Sequence, residues 1–187
     1  MVDIVKENQS KKSVNWKEEV ISWVQILVTA LVISLVLNNF IIANSRVPTG
    51  SMQNTIMAGS RVIGFRLSYV GKNPERGDVV IFHAPDDITG KTYYVKRIIG
   101  MPGDTVVIID GKVYINNAQK PLDEPYLPEP MAGSWGPYEV PENCYFMLGD
   151  NRNDSLDARY WKNQFVEKNQ IIAKVFFCYY PDIHKIE

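Results

Sequence analysis

Thr105-Val106-Val107-Ile108-Ile109-Asp110-Gly111-Lys112-Val113-Tyr114-Ile115 carries the clearest β signal in the chain. Two apolar, β-branched runs flank Asp110-Gly111, a dipeptide suited to a two-residue turn and the strongest short hairpin signal a sequence can carry. The neighbouring segments have the same texture. Arg61 to Phe65, Asp78 to Phe82, Tyr93 to Met101, Cys144 to Leu148 and Ile171 to Tyr180 are strand candidates, most of them bounded by Gly, Pro or Asp. Only Asn163 to Asn169 hints at a short helix or turn, and there are no internal repeats. The expectation is a mainly β chain whose strands form an antiparallel, partly closed barrel. One region resists this reading. Residues 117–143 carry Pro121, Pro125, Pro128, Pro130, Pro137 and Pro141, a density that predicts a loop-like insert without regular structure. Tyr126, Trp135 and Tyr138 within it argue for an insert that packs.

Upstream of all this lies the one long apolar run. Ile21 to Ile42 contains no charged residue, and as a helix of about 22 residues it would reach about 33 Å, enough to cross a bilayer's hydrocarbon core. Trp16 and Trp23 near its start suit an interfacial belt. A removable signal peptide would have a shorter apolar core. Ala43-Asn44-Ser45 resembles a cleavage site only faintly, so a retained anchor is the preferred reading. Lys6, Lys11, Lys12 and Lys17 precede the anchor, whereas Arg46 and Arg61 are the first basic residues after it. Lys and Arg mark the cytoplasmic side, and Glu7, Glu18 and Glu19 count little against them. The expected organisation is a cytoplasmic tail over 1–19, a single-pass anchor in the cytoplasmic membrane over 20–42, and an outer β domain over 43–187.

Composition removes other classes. A net charge of −1 with no basic stripe argues against a nucleic-acid partner. Cys144 and Cys178 have neither metal-ligand nor CxxC spacing and read as two buried thiols. No metal and no organic cofactor is expected.

The candidate chemistry begins just beyond the anchor, at Val47-Pro48-Thr49-Gly50-Ser51-Met52. Pro48 stiffens the approach to Ser51 and Gly50 permits unusual backbone, although Thr-Gly-Ser is also common in plain loops. Nine residues past Ile42 reach at most about 30 Å, so Ser51 works close to a membrane surface. Met52, Ile56 and Met57 read either as packing inward or as facing lipid or substrate. A serine nucleophile needs a base. His83, with Asp86 and Asp87 nearby, allows a Ser-His-Asp arrangement, while His184 lies in the C-terminal stretch. The alternative is Lys96. In a strand it shares a face with Tyr94 and Ile98, and burial there would favour the neutral amine that can accept a proton. A strand lysine can equally snorkel to solvent. Gly149 to Arg159 is a third constellation. Arg152 and Ser155 stand where an EF-hand calcium loop needs an oxygen ligand and a glycine, so that reading fails. Carboxylates beside a working neutral lysine would raise its pKa, so Asp150 and Asp157 call for arginine partners among Arg97, Arg152 and Arg159.

Taken in order, Pro48-Thr49-Gly50-Ser51-Met52, Arg76-Gly77-Asp78-Val79-Val80, Tyr94-Val95-Lys96-Arg97-Ile98-Ile99-Gly100-Met101-Pro102-Gly103-Asp104 and the Gly149 to Arg159 loop resemble the ordered boxes of bacterial type I signal peptidases. The single N-terminal anchor and small size resemble the Gram-positive branch. The resemblance covers the anchor and nearly all of the outer domain. It implies a serine endopeptidase with a Ser-Lys dyad that removes N-terminal signal peptides from exported preproteins at the outer membrane face, next to lipid and the secretion machinery. It casts Ser51 as nucleophile and Lys96 as general base, with Ser155 orienting the Lys96 amine. The Ser51 amide and the Thr49 hydroxyl would form the oxyanion hole. Asp150 with Arg97, and Asp157 with Arg159, would be structural ion pairs. Three positions depart from the family pattern: Asn54 stands where Pro is usual, Ala158 where Ser is frequent, and Lys162 where Gly is frequent. They bear on the shape of the Ser51 turn and on loop packing, not on a group assigned to bond making. A tethered, non-catalytic β domain is the rival reading, and the presence of both Ser51 and Lys96 counts against it.

Overall fold

The computed structural model describes residues 16–186, and the chain divides into two compact units, Met1–Leu37 and Asn38–Glu187. In the first, α1 (Trp16–Val36) continues through a π-helical turn, Leu37–Ile41, which crosses the boundary between the units. The helical stretch Trp16–Ile41 is 26 residues long and none of its most apolar part is buried, so it spans about 39 Å, long and apolar enough to cross a membrane. Among the described residues the helix runs from Trp16, with Glu18 and Glu19 in its first turn. Lys6, Glu7, Lys11 and Lys12 lie outside the described residues.

The second unit is antiparallel throughout. Its larger sheet has the order β1 (Ile42–Arg46), β2 (Arg61–Phe65), β10 (Ile171–Tyr180), β3 (Val79–His83), β4 (Tyr93–Gly100), β8 (Cys144–Leu148), β9 (Val166–Glu167), with β11 (His184–Lys185) also pairing β10. The strand path is open: β1 and β9 do not pair, so closure is only partial. The smaller sheet has the order β6 (Lys112–Ile115), β5 (Thr105–Ile109), β7 (Trp135–Glu139). Asp110 and Gly111 join β5 to β6 with φ of 47° and 77°, the left-handed pair that the two-residue hairpin requires. Alternation along the strands fills two cores. One gathers Val80, Phe82, Ile98, Val106, Phe146 and Leu148; the other gathers Val62, Val79, Ile81, Val95, Ala173 and Val175. Val79 with Val80 and Ile81 with Phe82 divide between the two, as period-2 geometry requires of a strand covered on both faces.

Four strands lie where none was expected; two are the two-residue β9, within the Asn163 to Asn169 stretch read as a short helix or turn, and β11. β1 occupies Ala43-Asn44-Ser45, pairing in register with β2, with Ala43 buried. β7 lies inside the proline-dense segment. Pro137 has no N–H to give a ladder, but β7 is an edge strand and its pairing with β5 shifts register between Val106 and Ile108, opposite Gly136-Pro137. An edge and a bulge are the two places where a sheet accepts proline. Cys144 and Cys178 are free thiols; Cys178 is buried and Cys144 only half-buried.

Candidate active site

Ser51 sits in a tight turn directly after β1. The loop is pinched at its base by Val47 N–H to the Ser60 carbonyl, 2.9 Å, and Gly59 N–H to the Val47 carbonyl, 2.7 Å. Met52 and Ile56 are wholly buried and root the turn in the second core, whereas Met57 stays exposed. The first two therefore pack inward.

The turn delivers Ser51 to Lys96. Both side chains are buried, and Lys96 Nζ donates to Ser51 Oγ at 2.5 Å. Lys96 owes its surroundings to sheet register: it lies opposite Val80, with Tyr94 and Ile98 as neighbours on its own face. Tyr94 stacks on Trp161 at 5.8 Å and meets Phe82 edge-on, closing that face to water. This desolvation lowers the Lys96 pKa from 10.5 to about 8, and Arg159 also lowers it, against the upward pull of Asp157 and Asp150.

The two carboxylates are held by arginines. Asp150 accepts from Arg97 at Nε, 2.9 Å, and at Nη2, 2.7 Å. It also accepts from Thr55 Oγ1 at 2.5 Å, which ties it to the Ser51 turn. Asp157 accepts from Arg159 at 2.8 and 2.9 Å and from Gly149 N–H at 3.1 Å. Arg152 takes neither: it forks onto Glu124, from the insert, and donates to the Gly149 carbonyl at 3.0 Å. The insert closes over this network, with the Tyr126 ring 3.8 Å from the Arg97 guanidinium. Glu124 and Tyr126 were not legible as site neighbours, because nothing along the chain links them to the loop 28 residues on.

The remaining candidates fall as follows. Thr49 Oγ1 is 3.3 Å from Ser51 Oγ. Ser155 Oγ is buried without a hydrogen-bond partner, so the expected bond to Lys96 is not made in this arrangement. It lies against Gly149, where a Cβ would stand 2.2 Å from Ser155 Oγ and 2.4 Å from the Ser51 carbonyl oxygen. His83 Nδ1 faces the Gly90 carbonyl at 3.0 Å, Asp86 accepts from the backbone of Lys162 and Asn163, and Asp87 caps Thr89 and Thr92. Among the described residues no Ser-His-Asp set forms. His184, in β11, turns Nε2 to the Thr55 carbonyl at 3.1 Å. Arg76-Gly77-Asp78 is structural: Arg76 bonds Asp104 and the Ile99 carbonyl, and Asp78 gathers Tyr69, Glu75 N–H and Lys174. Asn54 adopts φ 84° and donates to the Tyr126 carbonyl at 2.8 Å. Proline could not hold that φ, so this departure comes with a turn of its own shape. Ala158 is fully buried in the first core, where a serine hydroxyl would need a partner. Lys162 engages Asp86 through its backbone and needs no special φ.

A cleft of about 400 Å³ opens beside the pair, lined by Val47, Pro48, Thr49, Tyr94, Val95 and Leu156 among others. One wall is strand edge. The Tyr93 to Lys96 part of β4 pairs with β3 only, because β8 begins pairing at Arg97.

A mainly β domain thus brings a buried serine to a buried, desolvated lysine, a nucleophile and a base within hydrogen-bond reach of each other. A family model, signal peptidase, peptidase S26, matches residues 20–180. Signal peptidase I S of Bacillus subtilis (strain 168) is 36% identical over 91% of this chain and 94% of its own length. "Probable signal peptidase I-2" of Synechocystis sp. is 35% identical over 96% of this chain and 82% of its own. A solved signal peptidase I from Enterococcus faecalis V583, 32% identical, aligns with a TM-score of 0.47 over 55% of this chain and 97% of that one. The chain belongs to the peptidase S26 family of signal peptidases, which makes it a serine peptidase. Its N-terminal apolar helix is consistent with membrane anchoring.

Proposed function

We propose that the protein is a single-pass membrane endopeptidase that removes signal peptides from exported preproteins at the outer face of the cytoplasmic membrane. The contact between Lys96 Nζ and Ser51 Oγ is the observation that carries this reading. Neutral Lys96 takes the Ser51 proton as Oγ attacks the scissile carbonyl. The resulting oxyanion is met by the Ser51 N–H and the Thr49 hydroxyl. Lys96 then protonates the leaving amine, which departs as the new N-terminus of the mature protein. In the second half Lys96 deprotonates a water, which attacks the Ser51 ester and frees the signal peptide. Ser155 Oγ, buried without a partner, accepts from the Lys96 ammonium in the tetrahedral intermediate, before that proton passes to the leaving amine.

The open edge of β4 supports an extended substrate added as a further strand, with its side chains entering the cleft alternately. Residues 1–19 form the cytoplasmic tail, whose sequence carries Lys6, Lys11, Lys12 and Lys17, and 43–187 face outward, next to lipid and the secretion machinery. The test is direct. Detergent-solubilised protein should convert a preprotein to its mature form, with the new N-terminus read by mass spectrometry, and Ser51→Ala should yield none. Uncut preprotein with the unaltered enzyme would overturn the proposal.

A further inference from the structure

Asn151 reaches the Ser51 turn twice. Its N–H donates to the Ser51 carbonyl at 3.0 Å, and its side-chain Nδ2 donates to the Gly50 carbonyl at 3.1 Å. Gly50 O also accepts from Gln53 N–H at 2.9 Å, so both of its lone pairs are engaged. Only the NH2 end of an amide can face a carbonyl, which settles the direction in which the Asn151 side chain points. The Gly50 carbonyl and the Ser51 N–H belong to one peptide group. That group is planar and trans, so its C=O and N–H point in opposite directions. Pinning the carbonyl from one side therefore aims the N–H to the other, and among the described residues the Ser51 N–H has no hydrogen-bond acceptor.

We infer that Asn151 is a positioning residue for the reaction, holding the Gly50-Ser51 peptide so that the Ser51 N–H faces the oxyanion. The inference rests on the proposed role of Ser51 as nucleophile. It differs from a folding role because the backbone bond from Asn151 to Ser51 survives any side-chain replacement, and what is lost is the grip on a single peptide plane. The effect belongs to the transition state, since negative charge on the carbonyl oxygen develops only there.

The experiment compares Asn151→Ala, and the isosteric Asn151→Asp, with the unaltered enzyme on a peptide spanning a cleavage site. In Asn151→Ala, kcat should fall about ten- to a hundredfold at unchanged KM, somewhat less than for outright loss of an oxyanion donor. A peptide aldehyde of the same sequence, which forms a tetrahedral adduct on a serine, should lose affinity by the same factor, while a non-cleavable peptide binds unchanged. The alkaline-rising limb of the pH profile should keep its midpoint in Asn151→Ala, because Lys96 is untouched. Asn151→Asp keeps the side-chain volume and gives the same loss if the alanine variant does not fold. Unchanged kcat, or a loss confined to KM, overturns the inference. Turnover by Ser51→Ala would remove the nucleophile reading itself, and this inference with it; the two failures are distinguishable because they appear in different variants.

Discussion

Lys96 Nζ lies 2.5 Å from Ser51 Oγ across 45 residues of chain, and both groups are shut away from solvent. Neither residue creates this relationship alone. Ser51 is presented by a turn rooted through Met52 and Ile56, and Lys96 is desolvated by the strand face it shares with Tyr94 and Ile98.

The activity should rise with pH through about 8. In the proposed mechanism Lys96 acts as the neutral amine; its pKa is lowered from 10.5 to about 8, so kcat/KM should climb tenfold per pH unit below that value and level off above it. Lys96→Arg remains charged and should be inactive. A flat profile between pH 6 and 9 would sink the assignment.

Stability carries the opposite face of the same shift. Between pH 8 and 10.5 the unfolded chain holds a proton on this lysine that the folded chain does not, so Lys96 costs stability below pH 8 and this cost fades as pH rises to 10.5. The cost at pH 7 is on the order of 3 kcal/mol. Lys96→Met should therefore be inactive yet at least as stable at pH 7, with its advantage shrinking above pH 8. Thermal unfolding across that range checks it, and a large destabilisation at pH 7 would contradict it.

Asp157 is the strongest upward influence on Lys96. Asp157→Asn should move the midpoint of the kcat/KM profile to lower pH. It also breaks the buried pair with Arg159, at a cost of about 3–5 kcal/mol visible in denaturant melts. A midpoint that stays put or moves up would show that Asp157 does not act on Lys96.

Asn54→Pro should harm this protein. The native φ is 84° and proline holds about −65°, a conflict costing at least about 1–3 kcal/mol. Asn54→Gly should be tolerated far better. Equal melting temperatures for the proline variant and the parent would refute the described turn.

Gly149→Ala should leave a folded protein with crippled turnover. The added Cβ meets the Ser51 carbonyl oxygen at 2.4 Å, and because this is backbone it cannot be relieved by a rotamer change. A shift of about 1 Å in the nucleophile costs about a hundredfold. Full activity in Gly149→Ala would mean that the Ser51 turn and the Gly149 loop are not in contact.

Local signals in the sequence determined the local features. Asp110-Gly111 specified its hairpin because the positive φ that turn needs is a property of the dipeptide, and the apolar run specified its helix by length. Strand alternation marked Tyr94, Lys96 and Ile98 as one face before any contact was known. The ordered boxes named Ser51 and Lys96 together. The tertiary structure alone decided what depends on register and distance. Three arginines were available to two aspartates. Sheet pairing gave Arg97 to Asp150, and the loop geometry gave Arg159 to Asp157. Arg152 went to Glu124, in an insert whose prolines concealed β7 because periodicity does not reveal which strand becomes an edge. Ser155 stood in the expected loop without the expected bond, and Asn151, unremarked in the sequence, proved to hold the Ser51 turn. Such pairings are set by through-space separations of a few ångströms, which the order of residues along one chain does not encode until the sheets have closed.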